Sequence, residues 1–287
     1  MLKQNPKIPE GINSSDENPL KEFFTLLLGI GLAAILVVVI LSVMANWLAP
    51  YIPFSWEQKA LTGTAFLNNT DEESPIHRNA EQALSELGER ILEQANLSSE
   101  LSFHFHLLED DTPNAFASLG GHVFVTRGLL EAISSENALA MVVAHEIGHI
   151  QYRHPIQTLT RGALINIVYI ALMGGGGSAD AQNLLGQAGL ITALSFNREM
   201  EFDADAFGVA LVQKMYGHLE GADEFFKNML KKDRQAEWLT FFETHPHTEE
   251  RMEKILAARQ EPLGKNPTLP LDARITSYLT QGDQISR

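Results

Sequence analysis

The sequence HEIGH at residues 145–149 constrains the fold of this chain more than any other feature. It lies within the segment 135–152, an apolar run with few charges that predicts a largely buried helix. His145 and His149 are four residues apart, so they share one face of that helix. Buried imidazoles need polar partners, and one metal ion bound by both would satisfy them. Glu146 is then placed to hold a water molecule beside the ion.

A second helical segment, 197–210 (NREMEFDADAFGVA), contains a candidate for the third protein ligand that a catalytic zinc site requires. Glu201 and Asp205 are four residues apart and share a helical face. We interpret Glu201 as the zinc ligand, and Asp205 as the acceptor for the free ring N–H of a ligand histidine, which we expect to be His145. Two acidic residues on other faces of this helix are the competing candidates: Glu199 and Asp203.

Four segments resemble the HtpX-like and prenyl-protease-like family of zinc metallopeptidases. In chain order they are NAFASLGGHVFVTRGLL (114–130), HEIGHIQYRHP (145–155), NREMEFDAD (197–205) and THPHTEER (244–251). The third segment departs from the family's SRxxExxAD pattern at Asn197, which replaces the serine. The resemblance covers roughly residues 55–260. It implies a mainly α fold with a small antiparallel β-sheet (α+β), arranged as a gluzincin-type zinc metalloprotease domain.

The motifs and the resemblance together predict a zinc-dependent endopeptidase with one Zn²⁺ per subunit. The ion would be bound by His145, His149 and Glu201. Glu146 would accept a proton from the attacking water and later deliver it to the leaving amine. A role in quality control of membrane or envelope proteins is implied by the resemblance alone.

A predicted β-hairpin precedes the metal-binding helix and offers a place for the substrate. Its strands are expected at residues 115–119 and 122–125, with a turn between them at two glycines. A polypeptide would add to the hairpin edge as an extended strand, and such backbone recognition favours unfolded or misfolded chains. The residues expected to contact it are Asn114, Ala115 and Phe116.

His245 is a further candidate for the site. It precedes Pro246, and the following Thr248 with two acidic residues predicts the start of a helix, so His245 is expected on a loop. From there it could donate to the transition-state oxyanion, or bind zinc as a transient fourth ligand that switches activity off. A purely structural role in the loop is the alternative. Arg251 is expected to anchor this loop to an acidic partner.

Three other histidines are weaker candidates for metal ligands. His104 and His106 lie two residues apart in a predicted strand at 101–108, so they share one face and could bind a second metal. No third ligand is evident from the sequence, which favours a polar sheet face. His154 lies five residues after His149 and is predicted to point away from the ligand face.

An apolar segment near the N-terminus predicts a membrane anchor. No side chain from residue 23 to residue 56 is charged. Residues 23–49 predict one transmembrane helix, because the 26 residues from 23 to 48 would span about 39 Å of helix and a hydrocarbon core is about 30 Å thick. The alternative is a cleaved signal peptide with Val43-Met44-Ala45 as the cleavage site.

The distribution of charge predicts the orientation of the transmembrane helix, and the net charge argues against nucleic-acid binding. Three lysines precede the apolar span (Lys3, Lys7 and Lys21), whereas only Lys59 follows it closely. The positive-inside rule then places the N-terminus in the cytoplasm and the catalytic domain outside it, which in a bacterium means an inner-membrane protein facing the periplasm. The net charge of −15 argues against nucleic acid as a partner.

The remaining segments complete the predicted domain organisation. Residues 1–22 are expected to form a disordered tail, residues 55–260 the peptidase domain and residues 261–287 a C-terminal tail. An amphipathic helix is predicted at 76–97. The apolar run 163–173 precedes four glycines and predicts either a buried helix with a flexible loop or a lid that faces the membrane.

Two other functions remain compatible with the sequence. One is a catalytically silent zinc-binding chaperone or adaptor for misfolded envelope proteins, although the intact Glu146 argues against it because binding needs no general base. The other is a structural membrane protein in which HExxH occurs by chance, and metal analysis distinguishes that case.

Overall fold

The computed structural model describes residues 18–61, 74–162, 196–229, 245, 249–258 and 266–285. The named helices within these ranges are α1 (Pro19–Leu48), α2 (Phe54–Leu61), α3 (Pro75–Gln94), α4 (Arg127–Ala132), α5 (Glu136–Gln151), α6 (Arg198–Tyr216), α7 (Glu224–Met229), α8 (Glu249–Ala257) and α9 (Ala273–Ile285). Residues 154–162 are helical as well. The strands are β1 (His104–Leu108), β2 (Ala115–Ala117) and β3 (His122–Thr126). The mainly helical fold with a small sheet is therefore confirmed. The apolar run 163–173 and the first 17 residues of the N-terminal tail lie outside the described residues.

The three strands form a mixed sheet in the order β1-β3-β2. β2 and β3 make the predicted antiparallel hairpin, with Phe116 opposite Phe124. β1 pairs with β3 in parallel, with His104 opposite His122, so the expectation of an antiparallel sheet is wrong for this pair. The path of the chain explains the difference. β2 runs antiparallel to β1 and leaves room for one strand between them. β3 then fills this space and runs in the same direction as β1.

The core lies between one face of the sheet and the helices α3 and α5. α3 begins at Pro75, and the Ser74 hydroxyl caps it by accepting from the His77 backbone N–H. Its apolar stripe packs inward against α5 and β1, as the amphipathic pattern predicts. Alternation along β3 places Val123 and Val125 in this core and leaves Phe124, the residue between them, on the opposite sheet face.

The C-terminal segment is more than the tail that its polar composition predicts. Within residues 261–287, α9 packs against α3 and buries Ile275 and Tyr278 in the main core. Arg274 adds an ion pair with Glu86 on α3. The prediction missed this helix because its apolar face is narrow and most of its residues are polar.

The helix α1 is long and apolar enough to cross a membrane.

The segment that follows α1 is fixed to the folded domain by a buried ion pair. Glu57 of α2 is only 4% exposed. It accepts a hydrogen bond from Arg153 Nε at 2.8 Å and another from the Gly120 backbone N–H at 3.2 Å. Arg153 also donates to the Ile52 carbonyl at 2.8 Å. Arg153 lies directly beyond the HEIGH helix and adopts a left-handed backbone with φ of 61°. We call this arrangement the Glu57–Arg153 clamp.

Glu57→Gln is expected to lower the free energy of unfolding by about 3 kcal/mol, because loss of the buried Glu57 carboxylate leaves the partly buried Arg153 charge uncompensated. Denaturant unfolding of the detergent-solubilised protein measures this loss. Glu93→Gln makes the same chemical change at an exposed position of α3 and should alter stability by less than about 0.5 kcal/mol. Equal stabilities of the two variants would show that the clamp contributes nothing.

Candidate metal centre

The two helices that carry the motifs cross at close range. α5 begins after Ser135, whose hydroxyl accepts from the Ala138 N–H and fixes the first turn. Gly148 permits the approach of α6, since a Cβ at this position would lie 3.1 Å from the Cα of Ala204. Gly208 does the same from α6, because its Cβ would lie 3.2 Å from the backbone nitrogen of His145. Small residues at the crossing therefore bring the HEIGH face of α5 against the acidic face of α6.

The crossing brings the three predicted ligands together. Nε2 of His145 lies 3.0 Å from Nε2 of His149. The two carboxylate oxygens of Glu201 lie 3.5 Å from these nitrogens, one from each. All three side chains are buried. His245 joins them, and one donor atom from each of the four residues lies within 4.8 Å of the others. Two or three imidazole nitrogens and one carboxylate facing one point fit a divalent cation.

Asp205 and Arg251 contact two of the ligand side chains and fix their positions. Asp205 Oδ1 lies 2.9 Å from Nδ1 of His145, the contact that the ExxxD spacing predicts. Arg251 donates to both oxygens of Asp205, at 2.6 and 2.8 Å, and its Nη1 lies 2.6 Å from Glu201 Oε2. The acidic partner expected for Arg251 is therefore the pair of carboxylates on α6. A bidentate guanidinium contact of this kind fixes both the distance and the plane of a carboxylate.

The same contacts set the ionisation of the buried groups. Burial alone would raise the pKa of Asp205, but hydrogen bonds from Arg251 and His145 lower it below its ordinary value. Burial would lower the pKa of His145, but Asp205 and Glu201 outweigh it and raise the pKa to about 10. For Glu201, burial would likewise raise the pKa, but the neighbouring His245 and His145 outweigh it and lower the pKa. Both carboxylates are thus held as anions.

Glu146 differs from the other two carboxylates. It is fully buried, and neither of its oxygens has a hydrogen bond of normal geometry to the described residues. Burial raises its pKa above the usual range, although His245 and His145 oppose the effect. Nε2 of His245 lies 3.5 Å from Glu146 Oε1. A buried carboxyl group with a raised pKa holds a proton more readily than an exposed one, as a group that accepts and returns a proton requires.

The structure places His245 inside the centre. Its side chain is fully buried, and Nδ1 lies 3.1 Å from Glu201 Oε1. Its ring centroid is 5.4 Å from that of His145 and 5.3 Å from that of His149. The predicted helix start behind it is observed as α8, which begins at Glu249. Sequence spacing therefore located the loop, and the fold brings it to the metal-binding face.

The prediction that His154 points away from the site is wrong. Nδ1 of His154 lies 2.9 Å from Nδ1 of His149, and burial lowers the pKa of His154 to about 4. The reason is that α5 ends at Gln151 and the left-handed backbone of Arg153 turns the chain back. Pro155 is the sequence signal that a new helical segment begins here, because proline is tolerated in the first turn of a helix. His154 therefore positions the His149 ring.

Of the remaining predicted residues, the two competing acids are exposed and the residues expected to bind substrate are buried. Glu199 and Asp203, the competing acids, are exposed on the outer side of α6. The strand β2 is the edge of the described sheet and packs against α5, with the backbone of Ala117 beside Glu146. Asn114 is buried and pairs through its backbone with Thr126 of β3. Phe196 was not predicted, yet its ring stacks on His149 with centroids 3.8 Å apart.

Comparison with known sequences agrees with this geometry. Residues 78–259 match the sequence profile of Peptidase family M48. The mitochondrial metalloendopeptidase OMA1 of Schizosaccharomyces pombe is 32% identical over 174 residues, which cover 60% of this chain and 51% of that protein. The putative beta-barrel assembly-enhancing protease of Vibrio cholerae is 26% identical over 243 residues, or 80% of this chain and 49% of that protein. The beta-barrel assembly-enhancing protease of Escherichia coli is 29% identical over 181 residues, or 60% and 37%.

The chain spans about half or less of the length of these relatives. The family match, in contrast, covers more than half of this chain and includes every residue of the buried centre. The chain therefore belongs to peptidase family M48, a family of metal-dependent peptidases.

Proposed function

We propose that this protein is a membrane-anchored, zinc-dependent endopeptidase that hydrolyses peptide bonds of unfolded or misfolded membrane or envelope proteins. The observation that carries the proposal is the buried convergence of His145, His149 and Glu201 around one point, with Glu146 beside it. The names of the relatives, which are metalloendopeptidases and proteases, support hydrolysis of polypeptides. Quality control as the biological role rests on the resemblance of the motifs.

Zinc is the ion that the donor set of two histidines and one glutamate favours, and the donor spacing is compatible with it. A tetrahedral zinc site with bonds of about 2.0–2.1 Å has ligand atoms roughly 3.3 Å apart. The donor separations here are 3.0 Å between the histidine nitrogens and 3.5 Å from each to Glu201. When bound, zinc would supply Lewis acidity towards the scissile carbonyl and the attacking water. Asp205 keeps the His145 ring oriented by accepting from its Nδ1.

Glu146 is the proposed general base and acid. Its carboxylate takes a proton from the attacking water and later delivers it to the amine of the departing peptide. The raised pKa of Glu146, which burial causes, makes its carboxylate a stronger proton acceptor than an exposed glutamate. One of its oxygens lies 3.5 Å from Nε2 of His245, and burial keeps the carboxylate from bulk water.

The substrate is proposed to bind as an extra strand along β2. Asn114, Ala115 and Phe116 form the outer edge beside α5, and the backbone of Ala117 lies close to Glu146. A peptide that forms backbone hydrogen bonds with this edge would run alongside β2, and its backbone would lie close to Glu146. Such pairing uses backbone groups, which explains a preference for extended, unfolded segments.

The anchor is proposed to be α1, with the catalytic domain on the outer side of a bacterial inner membrane. α1 is long and apolar enough to cross a membrane and exposes its apolar side chains along its length. The lysines that precede it, set against Lys59 alone after it, support this orientation. The lipid bilayer is then a partner through residues 23–49.

Metal analysis of ligand variants tests the proposed centre. His145→Ala, His149→Ala and Glu201→Ala are each expected to lower zinc content sharply, because each removes one of three protein ligands. Glu199→Ala, on the exposed side of the same helix as Glu201, is the matched control and should retain the ion. Stoichiometric zinc in Glu201→Ala would show that the third ligand is wrongly assigned.

His245→Ala separates the two functional roles of this residue from a structural one. Loss of an oxyanion donor should lower kcat by roughly 10²-fold or more with little change in KM. Loss of a fourth ligand that blocks the centre should instead raise activity. Zinc content and thermal stability should stay near wild type in either case. Unchanged kinetics, or a loss that follows unfolding, would leave His245 as a structural residue.

A further inference from the structure

The short helix α2 lies beside the end of α1. Ala49, which directly follows α1, is fully buried and packs against Leu119. The neighbouring Gly120 donates through its backbone N–H to Glu57 of α2 at 3.2 Å. A Cβ on Gly120 would lie 3.0 Å from the Cα of Gln58, so the turn and α2 are in close contact. One small region of the domain therefore contacts both the end of α1 and α2.

α2 has an inner and an outer face. Phe54 and Glu57 are each 4% exposed and pack on the domain. Ser55, Trp56 and Lys59 are exposed. At about 100° of rotation per residue, these three side chains lie on the side of the helix opposite to the buried pair. The outer face of α2 thus carries an indole and an ammonium group away from the domain.

Exposed aromatic side chains continue from α2 to the last turn of α1. Trp56 is 65% exposed, Trp47 68% and Tyr51 72%, and the rings of Trp47 and Tyr51 form an edge-to-face pair with centroids 5.8 Å apart. Tryptophan and tyrosine are enriched where a membrane meets water, because the ring contacts acyl chains while its polar atom bonds to headgroups. A lysine beside them would attract lipid phosphate. This composition fits a phospholipid surface, and it is continuous with a helix that exposes apolar side chains along its length.

We propose that the outer face of α2, with Trp47 and Tyr51, lies in the headgroup layer of the bilayer on the side where the domain emerges. This inference rests on the proposed function, in which α1 crosses that bilayer. The domain would then contact the membrane at two places, through α1 and through α2. Glu57 on the inner face of α2 pairs with Arg153, which follows α5. The surface contact would therefore place the C-terminal end of the HEIGH helix next to the lipid.

Tryptophan fluorescence of the full-length protein in vesicles of phosphatidylcholine and phosphatidylglycerol tests the contact. The chain has three tryptophans, at 47, 56 and 238. Trp47→Phe/Trp238→Phe leaves Trp56 as the only emitter. Lipid brominated near the headgroup end of its acyl chains should quench this emission more strongly than lipid brominated near the methyl end. The matched control is Leu269→Trp in a chain whose native tryptophans are phenylalanine. Leu269 bonds to Asn137 near the start of α5, about 20 Å along that helix from the clamp, and a tryptophan there should stay unquenched.

Trp56→Phe/Trp238→Phe, which leaves Trp47, tests the anchor separately. Quenching of Trp47 without quenching of Trp56 would overturn the surface contact and leave the anchor intact. Absence of quenching at both positions would overturn the contact and the anchor together. Emission of Trp56 at short wavelength without bromine quenching would show that protein, such as a second copy of this chain, covers α2 in place of lipid. Equal quenching of Trp56 and of the tryptophan at 269 would also contradict the proposal.

A spin label gives a second readout that leaves every tryptophan in place. The chain contains no cysteine, so Ser55→Cys carries one label on the outer face of α2. Molecular oxygen partitions into lipid, whereas a nickel chelate stays in water. The label at 55 should therefore collide with oxygen, relative to the chelate, more often than a label on Glu93→Cys, at an exposed position of α3. Equal collision ratios at the two positions would place α2 in water and overturn the proposal.

Discussion

Replacing Glu146 by glutamine is expected to lower kcat by about 10²–10⁴-fold, the usual contribution of a positioned general base. The amide has nearly the same shape as the carboxylate but cannot accept the proton of the attacking water. Zinc content should be unchanged, because Glu146 is not among the proposed ligands. Hydrolysis of an unfolded protein such as casein, with metal analysis of the same sample, measures both quantities.

A matched variant shows whether such a loss is specific. Glu199→Gln makes the identical change on the exposed side of α6 and should retain wild-type hydrolysis. Full activity in Glu146→Gln would remove Glu146 from the mechanism. Retention of polypeptide binding without any hydrolysis in the wild-type protein would favour the silent chaperone or adaptor instead.

Arg251→Ala is expected to be the most destabilising single change near the centre. It leaves Asp205 and Glu201 buried without their main cationic partner, and breaking a buried pair costs about 3–5 kcal/mol. The loss should be larger in a chelator than in zinc, because a bound cation would compensate the charge of Glu201. Denaturant unfolding with and without chelator measures the difference.

Arg274→Ala is the corresponding control at the surface. Arg274 pairs with Glu86 and Asp272 but is one-third exposed, and an exposed ion pair contributes about 0–1 kcal/mol. Equal losses in the two arginine variants would contradict a special role for the buried carboxylate pair. Equal losses of Arg251→Ala with and without chelator would contradict compensation by the metal.

Local spacing made most of the centre predictable. His145 and His149, like Glu201 and Asp205, are four residues apart in helices, so their shared faces follow from helix geometry. What the sequence could not supply depends on contacts between distant segments. The parallel pairing that brings His122 beside His104 is of this kind. So is the contact of His154 with His149, which requires the turn at Arg153.

The C-terminal helix illustrates a second limit. Ile275 and Tyr278 are three residues apart and provide a narrow apolar face among polar residues. A pattern this weak predicts no particular element. Packing against α3 stabilises the helical conformation, because the apolar face is buried in that contact.

The Glu57–Arg153 clamp bears on how such an enzyme would meet its substrates. Ala49, directly after α1, is fully buried against Leu119 and Ile156, so no slack chain separates the apolar helix from the folded domain. A flexible tether would let the domain search a volume that grows with linker length. With α1 in a bilayer, the clamp instead keeps the centre at one height above the lipid surface. Enzyme and substrate would then meet by lateral diffusion in the membrane plane. The fixed height would determine how far from the lipid surface a membrane-bound chain is cut.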